Sequence, residues 1–305
     1  MVSIPKAFKA RILKLYSQDG GNWLNALPGL RDTLLEYWNL ENTSPVSQLS
    51  YNYLEYAHSP EYGSVVLKIG FPNRELCTEI QALQVYQGLG GAVRLLDSDL
   101  DRGALLLERI NPGYNLTSVN NDEEATRIAA QAMVDLRQPA PNQDFFPSMG
   151  DWCDGFNRYQ HQYSDGSGPL KESLVNRAAG LARDLLETPA NQVLLHGDLH
   201  HGNLLYREDG SWIVIDPKGV TGDFASEVGP YLFNPVPDLI HSTNLPGVLN
   251  RRLRILEEVT SVDRQRLEAW SFCRSVLSAI WTVEDGDNYL PYWAEISEIF
   301  GRLVK

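Results

Sequence analysis

Residues 193–222 read VLLHGDLHHGNLLYREDGSWIVIDPKGVTG. Asp209-Gly210 lies between the apolar runs 204–206 and 212–215, and Asp-Gly is a preferred pair for a two-residue hairpin loop because both central positions need positive φ. The spacing therefore predicts a β-hairpin. Counting outward from a two-residue loop pairs Glu208 with Ser211 and sets Asn203 directly opposite Asp216. Opposed residues have Cα atoms about 4.5 to 5.5 Å apart with side chains on one face. Asp198 precedes the hairpin in a loop that follows a short strand, residues 193–195. Three oxygen-bearing side chains around one point suit a hard cation such as Mg²⁺, which keeps several waters and bridges phosphates.

Composition bounds the setting of this hairpin. A chain of 305 residues with 43% hydrophobic and 21% charged residues is an ordinary globular protein, long enough for two lobes with their own cores. No apolar run approaches the roughly 20 residues that a membrane span needs, and Lys and Arg are mixed through the apolar positions of the N-terminus. Neither a signal peptide nor a membrane span is expected. The three cysteines, Cys77, Cys153 and Cys273, have no metal-type spacing and fit reduced thiols in a cytoplasmic protein. A formal charge of −13 argues against nucleic-acid binding and is compatible with a cationic small-molecule partner. Oligomeric state is not legible.

Along the chain, residues 4–16 carry Phe8, Ile12, Leu13 and Tyr16 on one helical face, Gly20-Gly21 breaks that helix, and a second helix is expected over 28–38. Residues 51–57 and 64–69 read as antiparallel strands, with Lys68 near the end of the second. A helix with Glu75 and Glu79 follows over 75–89, then strands over 93–96 and 104–110. After Ile110 the pattern turns helical: 122–136, 152–159 and 170–186 precede the hairpin stretch. A proline-bearing loop over 221–245 and two last helices, 248–259 and 262–283, follow it. The fold class is α+β: a small antiparallel sheet with one main helix in an N-terminal lobe, residues 1–109, and a larger helical lobe, residues 110–305. The lobes meet near Glu108 to Tyr114.

These motifs carry a family resemblance. HGDLHHGN followed by IDP resembles the His-Arg-Asp-x-x-x-x-Asn and Asp-Phe-Gly loops of the protein-kinase-like superfamily. The wording HGDLHHGN, DPKG, VLKIG, GGAVRLLDSD and ALLLERINPG is similar to the aminoglycoside phosphotransferase family, in the branch of streptomycin 6-phosphotransferases and hydroxyurea kinases. The similarity runs from about Trp23 to the WTVEDGD stretch. It implies a two-lobe kinase fold and ATP (or GTP) with Mg²⁺. Asp198 would be the catalytic base, Asn203 and Asp216 the metal ligands, and His196 a support of the loop. Lys68 would take the α- and β-phosphates, held by Glu79 in preference to Glu75. Ser50, Glu108 and Ile110 become candidate nucleotide contacts, although the loop SQLSYNY that would cover the phosphates has no glycine.

Departures from the protein-kinase pattern point to a small-molecule kinase. Gly197 stands where protein kinases often carry the Arg that pairs with a phosphorylated activation loop, and Pro217-Lys218 replaces Phe-Gly, so a loop held in one conformation is expected. Lys218 could touch a phosphate or pair with an Asp. A zinc reading of His196, His200 and His201 fails because His-x-x-x-His needs a helix and the glycines around it disfavour one. No GxxxxGK is present, which argues against a P-loop enzyme. On the substrate side, Glu284, Asp285 and Asp287 put negative charge at a helix C-terminus, against the dipole. Together with Trp281, Asp151, Trp152, Asp154 and Glu227 they are candidates for binding a cationic acceptor. The expected reaction is phosphorylation of a hydroxyl on a streptomycin-type molecule, as in antibiotic inactivation. The alternatives are a kinase of another metabolite, such as a sugar, amino alcohol or fructosamine, and a nucleotide-binding pseudokinase module.

Overall fold

The computed structural model describes residues 4–47, 49–141, 145–286 and 288–304. Gln48 of the SQLSYNY loop and Asp287 of the acidic stretch lie outside the described residues. The chain forms two compact units, Met1–Gly113 and Tyr114–Lys305.

The first unit begins with helix α1 (Lys6–Tyr37), which is kinked at Ser17, where φ is 48° and ψ −124°. The expected break at Gly20-Gly21 is thus misplaced by a few residues, and both glycines are helical. A Cβ on Gly20 would stand 2.7 Å from the Ile12 carbonyl oxygen. The glycine lets the two arms of the kink approach closely, which is a packing use rather than a breaking one. Strands β1 (Glu41–Pro45), β2 (Tyr53–Ser59) and β3 (Gly63–Ile69) follow. After helix α2 (Arg74–Tyr86) come β4 (Leu95–Asp99) and β5 (Ala104–Glu108). They make one five-stranded sheet in the order β1-β2-β3-β5-β4, antiparallel throughout. Val65, Leu67 and Ile69 of β3 are fully buried against α1, whose Phe8, Ile12, Leu27 and Leu34 belong to the same core. Alternation along a strand sends Lys68 to the opposite face. Strand β1 was absent from the sequence reading because ENTSP is polar and exposed on nearly every residue.

Strand β6 (Pro112–Asn115) spans the boundary of the units. The second unit is built on helices α3 (Asp122–Asp135), α4 (Met149–Gln162) and α5 (Glu172–Glu187), each within three residues of expectation at either end. Asn121 caps α3 by accepting from the N–H of Glu123 and Glu124, the start that its sequence signals. Strands β7 (Gln138–Pro139), β8 (Gln192–Leu195) and β11 (Val220–Asp223) form a small sheet, and β9 (Leu204–Arg207) pairs with β10 (Trp212–Val214) as the predicted hairpin.

The segment expected to be a loop over 221–245 is not one. Residues 219–233 are buried without interruption. They form β11, a 3₁₀ turn and helix α6 (Val228–Leu232), and helix α7 (Val236–Ile240) follows. The prolines do not break these helices: Pro230 sits in the first turn of α6 and Pro235 caps α7, positions whose N–H groups need no helical partner. Helices α8 (Leu245–Thr260) and α9 (Arg264–Asp285) match the last two expected, but a third, α10 (Leu290–Leu303), follows them. It buries Tyr292, Ile296, Ile299 and Phe300 on one stripe.

Candidate active site

Strand β8 delivers the HGD turn. Leu195 at its end is paired with Val220, and the chain then turns at Gly197, whose φ is +83°. A Cβ there would meet Trp152 Cη2 at 3.0 Å and Lys218 Cβ and Val220 Cγ2 at 3.3 Å, so both the backbone and the space require glycine. The turn is bonded on every side. Glu227, buried at the end of the 3₁₀ turn, accepts from the backbone N–H of His196 at 2.6 Å and of Gly197 at 3.0 Å. The Lys218 N–H donates to the His196 carbonyl at 2.8 Å, and Arg274 of α9 donates to the Gly197 carbonyl at 2.9 Å. The His196 ring bridges outward: Nε2 lies 2.8 Å from the Ile215 carbonyl, and Nδ1 accepts from the Asp198 N–H at 3.2 Å. What remains is the carboxylate of Asp198. Its side chain is 41% exposed, His200 Nε2 stands 3.9 Å from Oδ2, and the buried guanidinium of Arg274 acts on it through its charge.

The hairpin exists, but its register differs by one from the expected one. Tyr206 faces Trp212 and Leu204 faces Val214, so the loop has three residues, Glu208 to Gly210, closed by Arg207 N–H to Ser211 O at 2.8 Å. Asn203 therefore pairs with Ile215, whose N–H donates to the Asn203 carbonyl at 3.0 Å, and not with Asp216. Asp209 stabilises the longer loop by accepting from Ser211 N–H and Oγ, and Gly210 takes φ +91°. The Asp-Gly-Ser run, with a side chain able to bond two residues on, was the available signal for a three-residue loop. Asp216 lies just past the ladder in the left-handed region, φ +59°. Asn203 is turned inward: its Nδ2 donates to the Asp198 carbonyl at 2.9 Å, which leaves Oδ1 as an acceptor without a partner among the described residues. Residues 201–203 form one 3₁₀ turn, capped by His200 Nδ1 accepting from Gly202 N–H at 2.9 Å.

In the first unit, Lys68 of β3 and Glu79 of α2 form a buried ion pair, Nζ to Oε1 2.6 Å, with the lysine side chain 2% exposed. Glu79 thus stands within bonding distance of the lysine. Asn73 caps α2 through its Oδ1 and the Leu76 N–H, which fixes the first turn of the helix that carries Glu79. Ser50 lies in the exposed link between β1 and β2, where its carbonyl accepts from Arg11 at 2.8 Å. Glu108 ends β5 with its carboxylate on Arg94, 2.9 Å from the N–H and 3.1 Å from Nε. Ile110 is buried.

The acidic substrate candidates are largely engaged. Asp151 closes the capping box of α4 with Ser148, Asp154 accepts from Asn157, and Glu284 pairs with Arg158 at 3.1 Å. Asp285 is exposed at the last residue of α9. Glu227 is not presented to a ligand at all but sits under the HGD turn. Trp281 stands edge-on to Trp152 at 5.5 Å between ring centroids, and Arg274 lies beneath both rings, 4.7 Å from Trp152 and 5.5 Å from Trp281. Arg274 escaped the sequence reading, yet there was a signal. It occupies the apolar stripe of α9 between Trp270 and Leu277, where a charge is out of place.

Burial sets the ionisation of this turn. Desolvation pulls His196 down to about 4 and His201, stacked on Tyr231, down to about 3, while it pushes Glu227 up to about 7. The histidines bind fewer protons folded than unfolded, so their contribution to stability is whole above about pH 6.5 and is lost as pH falls toward 4. Glu227 acts oppositely, its contribution being lost as pH rises from 4.5 through about 7. Two groups outweigh one, at about 1.4 kcal/mol per proton and pH unit. Stability should therefore fall by a few kcal/mol on acidification. In NMR titration of the folded protein, the His196 and His201 ring protons should show no midpoint above pH 5; a midpoint near 6.5 for either contradicts its buried neutral form.

Comparison with known proteins identifies the family and the fold. A family model described as aminoglycoside/hydroxyurea antibiotic resistance kinase matches residues 46–286. A streptomycin 6-kinase of Streptomyces glaucescens is 30% identical, over 95% of this chain and 94% of its own. A hydroxyurea phosphotransferase of Kitasatospora aureofaciens is 28% identical, over 95% and 83%. Among solved structures, the choline kinase LicA from Streptococcus pneumoniae superposes with a TM-score of 0.66 at 14% identity, over 91% of this chain and 99% of its own, which shows a shared fold.

Proposed function

Since the chain belongs to the aminoglycoside/hydroxyurea antibiotic resistance kinase family and is a phosphotransferase, we propose that it transfers the γ-phosphoryl group of ATP to a hydroxyl of a small cationic acceptor of the streptomycin type. The observation that carries this reading is Asp198: an exposed carboxylate with no hydrogen-bond donor among the described residues, on a turn whose other polar groups are bonded. A general base needs that combination of fixed backbone and open acceptor.

Asp198 takes the proton of the acceptor hydroxyl. The acceptor oxygen forms a bond to the γ-phosphorus while the bond from that phosphorus to the β,γ-bridging oxygen breaks, and ADP leaves. Lys68, held by Glu79, neutralises charge on the α- and β-phosphates. Asn203 and Asp216 fit a hard cation: one offers an amide oxygen without a protein partner among the described residues, the other a carboxylate, and both are oxygen donors. Mg²⁺ held by these two side chains would supply positive charge that offsets the charge of the phosphates. Catalysis then rests on orientation and charge neutralisation rather than on a covalent intermediate.

The test is an ADP-release assay with Mg·ATP across streptomycin, hydroxyurea, other aminoglycosides, choline, fructosamines and simple sugars. Streptomycin should give the highest kcat/KM, with activity lost in excess EDTA and restored by Mg²⁺. Turnover of another acceptor with streptomycin inert replaces the substrate, and no turnover of any acceptor removes the reading.

A further inference from the structure

Helix α9 packs through fully buried Leu267, Trp270, Leu277 and Ile280, and Arg274 shares their stripe at 4% exposure. Its guanidinium makes a single hydrogen bond among the described residues, Nη2 to the Gly197 carbonyl at 2.9 Å. Nε and Nη1 are buried with no partner there. The rings of Trp152 and Trp281 stand in for the missing acceptors, and the opposite charges acting on it are those of Asp198 and Glu227. Buried charges with incomplete hydrogen bonding can often be exchanged for apolar residues of similar volume without loss of stability. Something other than stability is then the reason for a guanidinium here.

The peptide that joins Gly197 to Asp198 supplies one. Its N–H donates to His196 Nδ1 at 3.2 Å, and its C=O receives Arg274. Both ends of one amide plane are pinned, at the residue with the widest backbone freedom in the turn. We propose that Arg274 is a positioning residue for phosphoryl transfer: by holding the Gly197 carbonyl it orients the peptide that carries Asp198, and Trp152 and Trp281 clamp its guanidinium in place. The proposal rests on the assignment of Asp198 as the base. Gly197 itself has no side chain with which to fix the turn, so the fixing group comes from a distant helix.

Arg274→Met removes charge and donors at similar volume, and Arg274→Lys keeps the charge on a narrower donor. With streptomycin and Mg·ATP, Arg274→Met should lower kcat at least about tenfold, since small misplacements of a reacting group cost up to about a hundredfold. Both KM values should stay within about twofold, and Tm within a few degrees of wild type or above it. Arg274→Lys should recover part of kcat. The proposal is overturned if kcat per folded molecule is unchanged, or if it falls only in proportion to lost folded protein and a lowered Tm. It is also overturned if Arg274→Met raises either KM with kcat intact. Wild type inert on every acceptor of the panel brings down the kinase reading, and this proposal with it. Active wild type, inactive Asp198→Ala and a wild-type-like Arg274→Met bring down this proposal alone.

Discussion

Asp198→Ala should reduce kcat by about 10³-fold or more, because a positioned general base contributes roughly 10² to 10⁴. Nucleotide affinity should change little. The Asp198 carboxylate accepts no hydrogen bond from the described residues, and the Asn203 amide is tied to the Asp198 backbone carbonyl rather than to its side chain. Removing the side chain therefore leaves the turn and the oxygen of Asn203 where they are. Single-turnover measurement of phosphoryl transfer beside calorimetric titration with Mg·ATP separates the two quantities. Full turnover in the variant sinks the base assignment, and loss of nucleotide affinity would mean that Asp198 acts on the nucleotide instead.

Glu227→Ala should strongly destabilise the second unit. The carboxylate satisfies two buried backbone N–H groups, at 2.6 and 3.0 Å, and lies among the charges around Arg274. Each orphaned buried donor costs about 1 to 3 kcal/mol, so a loss of roughly 3 to 5 kcal/mol is expected. That is a large fraction of the roughly 5 to 15 kcal/mol by which domains are typically stable. For a unit of this size it corresponds to a Tm lower by about 10 °C. Glu227→Gln should fall between, since an amide accepts through one oxygen and turns its NH₂ toward the second N–H. Urea denaturation of the three proteins measures the order; an alanine variant as stable as wild type would show that the turn does not depend on this carboxylate.

Much of this site could be read from residue types and spacing, and the failures share a cause. The hairpin, the Lys68 strand, the Glu79 helix and the capped start of α3 depend on local rules, which the sequence displays directly. The register shift came from a side chain, Asp209, bonding past its own turn. The loop misreading over 221–245 came from taking prolines as breakers without asking whether their missing N–H mattered. Glu227 looked like a substrate ligand because nothing local distinguishes a carboxylate that serves backbone amides thirty-one residues away from one that serves a ligand. Arg274 is the same problem from the other side: its purpose lies 77 residues upstream. Long-range hydrogen bonds to backbone leave almost no trace in a pattern of apolar periods.

The space at Gly197 also bears on what this protein can become. A side chain there would need a new backbone conformation and the displacement of an indole that stands 3.0 Å from its first carbon. Neither change helps alone, so a lineage starting from this turn faces a fitness valley before it could gain an arginine that senses phosphorylation. A phosphorylation-sensing arginine at this position is therefore more than one substitution away from the present turn.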